Sequence, residues 1–156
     1  MKKIYIQVLV VLLMGILPFF SPTSAQAEEM TCPTHTLVNI DIKPGNDQNR
    51  VKLSSKGVIA VAVLSTRVFH ASQFTPQMAH LSDTGAAMNE GCSGAMAERW
   101  SLDDENGDGQ LDLVFFFRIQ ELNLSLDSTS ATFMAHGTYG STELHIMGTD
   151  SVKVIP

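Results

Sequence analysis

Val58-Ile59-Ala60-Val61-Ala62-Val63-Leu64 most narrows what this chain can become, because it is apolar at every position and β-branched at four. Side chains of that kind are stiff in a helix and pack well on a pleated surface, so the run reads as a central strand buried on both faces. Upstream, Val38, Ile40 and Ile42 alternate with Asn39, Asp41 and Lys43, the period of a strand with one buried face. Pro44-Gly45-Asn46-Asp47 then ends that strand with strong turn chemistry. Val51-Lys52-Leu53, Met78 to Leu81, Met96 to Leu102, Leu111 to Ile119, Thr129 to Thr138, Leu144 to Met147 and Ser151 to Ile155 read as further strands. Phe69 to Phe74 is expected to make a short turn or one helical turn closed by Thr75-Pro76, and Ser82 to Gly94 an exposed loop. Trp100 alternates in phase with Met96 and Leu102, which places it in the core. Seven to nine short strands with turns about every ten residues predict an all-β, single-domain, Ig-like β-sandwich.

Between two of those strands the chain crowds its acids. Asp103-Asp104-Glu105-Asn106-Gly107-Asp108-Gly109-Gln110-Leu111-Asp112 runs straight into Leu113-Val114-Phe115-Phe116-Phe117. With Asp104 as position 1, Asn106 and Asp108 fall at 3 and 5, Gly109 at 6, Gln110 at 7 and Asp112 at 9. Calcium takes about six to eight oxygens, and alternate residues of a tightly curled loop supply them on one concave face. Gln110 would give its carbonyl oxygen, and Gly109 lets the chain wrap. An EF-hand would carry a bidentate Glu at position 12, where this chain has Phe115, so Asp112 must close the site and the exit is a strand. The competing reading is a solvated acidic turn. Calcium is favoured over magnesium, which demands stricter octahedral geometry.

The first 27 residues read as an address. Lys2 and Lys3 precede an apolar run from Ile4 to Phe20 broken at Pro18, and Ala25-Gln26-Ala27 is a small-x-small cleavage site. A membrane anchor is the competing reading. Cleavage would leave residues 28–156 as one calcium-binding β-sandwich domain, secreted or periplasmic, with no membrane span. Loss of Lys2 and Lys3 takes the formal charge from −6 to −8. An acidic domain repels phosphate backbones, which excludes nucleic acid as a partner and favours cations. The two cysteines, Cys32 and Cys92, are too few for a disulfide scaffold. Their pairing stays open; closing that loop of about 60 residues would contribute roughly 4 kcal/mol.

Other chemistry is thin. His136 and His145 flank a turn and would face one another across a hairpin, offering two zinc ligands, against the plainer reading of surface or packed histidines. No serine sits in a Gly-x-Ser-x-Gly elbow, Cys92 lacks a placed base, and the spacing of Glu98, Glu121 and Glu143 brings no carboxylate pair together. The expectation is therefore a protein that is not an enzyme.

Val38-Asn39-Ile40-Asp41-Ile42-Lys43-Pro44-Gly45, Ser55-Lys56-Gly57-Val58 through Leu64-Ser65-Thr66, the acidic loop with Phe117-Arg118 beyond, and Gly148-Thr149-Asp150-Ser151-Val152 come in one order. In that order they resemble a module of exported bacterial and archaeal proteins, found alone or attached to larger surface proteins and generally without an assigned activity. Its calcium loop is similar to integrin-type and dockerin-type loops. The resemblance implies an extracellular β-module with bound Ca2+, ligated by Asp104, Asn106, Asp108, Gln110 and Asp112, and it brings no catalytic residue. Where the module continues with a Thr-Gln-Asp-like stretch, this chain has Ile119-Gln120-Glu121. The expected function is a calcium-stabilised surface, adhesion or accessory-binding module for a protein or glycan partner. A carbohydrate-binding module, needing Trp100 or Tyr139 exposed beside another aromatic, and a metal-assisted hydrolase accessory are the alternatives.

Overall fold

The computed structural model describes residues 34–90 and 94–156. Cleavage at Ala27 and pairing of Cys32 with Cys92 lie outside the described residues. Ten strands carry the fold. β1 (Thr36–Leu37), β2 (Ile40–Ile42), β3 (Arg50–Lys52) and β4 (Val58–Val63) come first, and a 3-10 turn at Ala71–Gln73 leads into β5 (Phe74–Asp83). After a short helix α1 (Thr84–Glu90) come β6 (Ala95–Asp103), β7 (Asp112–Arg118), a 3-10 turn at Ile119–Glu121, β8 (Ser130–Tyr139), β9 (Thr142–Ser151) and β10 (Lys153–Ile155).

Eight of these strands form one sheet in the order β1-β9-β8-β5-β6-β7-β4-β2, and β10 pairs with β3 in parallel. β1 and β2 stand at opposite ends of that order yet are two residues apart in the chain, so the sheet must curl until its ends meet. One extended stretch holds both edges: Val38 N donates to Met147 O on β9, and Asn39 O accepts from Leu64 N beyond β4. Closure of this kind removes edges that would otherwise invite pairing with another chain. Gly148 permits the approach, since a Cβ there would lie 2.5 Å from Ile40 Cγ2 and 2.8 Å from Val38 O.

β6 makes the second corner. Ala95 and Met96 pair with Leu81 and His80 on β5, whereas Ala97 to Asp103 pair with β7, with a register shift between Ala97 and Arg99. The result is an all-β, sandwich-like domain with β1, β9, β8 and β5 in one layer and β2, β4, β7 and β6 in the other, as the strand pattern predicts. Ile42, Val61, Val63, Leu113, Phe115, Phe117, Phe133 and Ile146 are buried between them. Phe133 packs on Phe115 and Phe117 with ring centroids 4.9 and 6.2 Å apart. Each such side chain stabilises the fold by about 1.5–3 kcal/mol relative to exposure. β4 lies between β2 and β7, the central place expected of its apolar run.

Three local expectations are corrected. Thr75-Pro76 does not stop the chain: β5 runs through it, and its pairing with β8 shifts between Pro76 and Met78, where proline has no N–H to give. Ser82 and Asp83 still belong to β5, and α1 occupies most of the stretch expected as a loop, with Ala87 buried. Trp100 is not in the core. It lies across from buried Phe115 but is 46% exposed, and Leu102 is exposed too, because β5 leaves β6 after Met96; Met96, still paired with His80 on β5, is also exposed.

Candidate metal centre

The acidic loop joins β6 to β7, starting where Asp103 pairs with Asp112 at the end of the two-stranded ladder. Gly107 and Gly109 take φ of +72° and +83°, left-handed values that turn the chain sharply at low steric cost. Asp104 reaches into the curl. Its Oδ1 accepts from Asp108 N at 3.0 Å and its Oδ2 from Gly109 N at 2.9 Å. Asn106 Oδ1 also accepts from Asp108 N at 2.9 Å, and Asp108 Oδ1 from Gln110 N at 2.8 Å. Asn106 Nδ2 and Gln110 Nε2 donate to Asp108 Oδ2 at 3.2 and 3.4 Å. The side chains at positions 1, 3, 5 and 7 are thus brought together, and the loop's own amides hold the curl.

Asp112 is placed differently. It is fully buried, its Oδ1 accepts from Ser65 N at 2.7 Å and its Oδ2 from Glu105 N at 3.2 Å. Ser65 Oγ donates to Leu111 O at 2.7 Å and accepts from Ala71 N at 2.9 Å. The end of β4 and the end of the loop are therefore pinned to one another through Ser65 and Asp112. Among the described residues, no group of three or more His, Cys, Asp or Glu side chains is gathered as a ready metal cage. The loop's converging side chains are two carboxylates, Asp104 and Asp108, and two amides, Asn106 and Gln110.

Acids outside the loop reach it through the fold. Glu105 has its pKa raised by burial and then by Asp103, Asp112 and Asp41. Asp41, on β2, is raised by burial and then by Asp150 and Asp47. Asp150 Oδ2 accepts from Ile42 N and Asn49 Nδ2, each at 2.9 Å, tying β9 to β2 and the turn before β3. Neither Asp41 nor Asp150 is close to the loop in sequence, so no spacing could reveal them. Glu105 stands at position 2 of the loop, between Asp104 and Asn106.

The histidine pair is where the hairpin places it. His136 and His145 are direct cross-strand partners on β8 and β9, with rings stacked at 4.5 Å between centroids, and His35 meets His145 edge-on at 5.8 Å. Glu98 and Glu121 both meet Arg118 in exposed ion pairs, as surface charges would. No helix among the described residues is long and apolar enough to cross a membrane. No protein-family model matches the chain, and neither does a curated protein or a solved structure.

Proposed function

We propose that this chain is a non-enzymatic, secreted or periplasmic module whose fold is clasped by Ca2+ at Asp104, Asn106, Asp108, Gln110 and Asp112, and which serves as a surface, adhesion or accessory-binding domain. The observation that carries the reading is the curled loop itself. The amide groups of Asn106 and Gln110 sit within hydrogen-bond distance of Asp108, and the Asp108, Gly109 and Gln110 backbone amides hold the side chains of Asp104, Asn106 and Asp108 in the curl. A hard cation takes carboxylate and amide oxygens gathered in a tightly curled loop of this kind. A preformed loop also loses little conformational freedom on binding. The ordered resemblance to exported modules supports the same reading, and an affinity of roughly 10⁻⁴ to 10⁻³ M would suit an extracellular site.

The glycan alternative gains half of what it needs. Trp100 is exposed, but its cross-strand neighbour Phe115 is buried, and Tyr139 is stacked on Phe69 at 5.5 Å and accepts from His70 N. Thermal or denaturant melting with calcium and then with chelator tests the clasp. Calcium at 100 times its dissociation constant should add about 2.7 kcal/mol if the unfolded chain binds none. Identical melts in the two conditions remove calcium from the account.

A further inference from the structure

The outward face of the layer made by β5, β8, β9 and β1 has an unusual lining. The inward side chains there are Ala79, Leu81, Phe133, Ala135 and Ile146, all buried in the core. Their alternates point the other way, and the register sets them in rows. Met78 pairs with His136 and His136 with His145, while in the next row His80 pairs with Met134 and Met134 with Met147. An outward sheet face ordinarily carries charged and polar side chains such as Lys, Glu and Thr. Across β5, β8 and β9 every side chain of these two rows is an imidazole or a thioether, and Leu37 of β1 flanks Met147.

We propose that this face is a soft-metal site that takes copper(I), with His136, His145 and Met78 as its ligands and His35 as a further donor. Thioether and imidazole together select copper(I) over the harder cations the acidic loop would take. Sheet geometry allows the convergence. Adjacent strands are about 4.8 Å apart, so Met78 and His145 stand roughly 10 Å apart with His136 between them, and both side chains are long enough to lean over the middle strand. A cavity of about 190 Å³ opens among Met78, His80, Met134, His136, His145 and His35. His136 and His145 are stacked and do not point at a common centre, so loading needs rotation of these half-buried side chains.

One further observation agrees. His80 Nδ1 is buried without a hydrogen-bond partner, a lone pair or proton left for something the chain does not itself supply. The site is separate from the acidic loop and does not rest on the calcium reading.

The test is an anaerobic titration of the purified protein against copper(I) held by bicinchoninate, with calcium present. Cys32→Ser and Cys92→Ser are included so that no thiol takes the metal. One equivalent of copper(I) should pass to the protein, and X-ray absorption should show sulfur beside nitrogen around it. His136→Asn with His145→Asn removes both imidazole ligands and should abolish transfer of copper(I) to the protein. Met78→Leu with Met134→Leu, which preserves volume, should weaken copper(I) binding and remove the sulfur signal while melting stays near that of the parent. No transfer to the parent protein, an unchanged affinity in the Met variant, or preferential uptake of zinc(II) would overturn the proposal.

Discussion

Asp112 shows how much one side chain can carry that its spacing does not announce. Its place at the ninth position of the loop predicts a calcium ligand, yet both its oxygens already serve backbone amides, one of them at Ser65 just beyond the end of the neighbouring strand β4. Asp112→Ala leaves the Ser65 N–H buried without an acceptor, which should destabilise by about 1–3 kcal/mol even in chelator. Asp112→Asn keeps one oxygen and should lose less. A denaturant midpoint for Asp112→Ala equal to that of the parent would show that Ser65 finds another partner and that the pin is not structural. The curl was legible because Asp104, Asn106, Asp108 and Gly109 act within a few residues of one another. The pin was not, because Ser65 is 47 residues away and only the pairing of β4 with β7 brings it there.

Period-two alternation in a strand tells which side chains share a face; it does not tell whether another layer covers that face. β6 makes the difference visible. Trp100 and Phe115 are cross-strand partners, but Phe115 is fully buried and Trp100 is 46% exposed. Phe115→Ala should therefore cost about 3–5 kcal/mol, through lost burial and the cavity left beside Phe133. Trp100→Ser should stay within about 1 kcal/mol of the parent, and the fluorescence of Trp100, the single tryptophan, should be quenched readily by acrylamide. Shielded fluorescence, or equal destabilisation by the two substitutions, would mean that β6 is covered in solution. The same limit explains β5 and α1. Pro76 carries a turn signal that the bulge opposite Gly137 absorbs, and the Gly/Ala-rich stretch after Asp83 is stabilised as a helix by packing on β5 and β8, which no local pattern displays. Strand identity at β4 and β7 was plain because their apolar runs admit no other use.

At the scale of the whole molecule, closure and charge act against each other. The sheet closes only by bringing β2 beside β9 and beside the end of the β6–β7 ladder, so acids far apart in sequence are pressed together. Glu105 and Asp41 both have raised pKa values, burial being the largest cause and neighbouring carboxylates the next. A carboxyl whose folded pKa lies above its unfolded one binds more protons in the native state across that interval. Its contribution to stability is therefore present at low pH and is lost as pH rises from the ordinary carboxylate range through the raised value. In chelator, Asp41→Asn and Glu105→Gln should each raise the melting temperature at neutral pH and flatten its fall across that window. If calcium occupies the loop beside Glu105, the cation takes over the work of the proton and the parent's own fall should shrink in its presence. Melting temperatures of the parent and the two variants, taken across the carboxylate range with calcium and with chelator, decide the matter. A parent protein in chelator whose pH profile in this window coincides with those of both variants would show that these carboxyls relax apart in solution, and that closing the sheet carries no electrostatic cost at them.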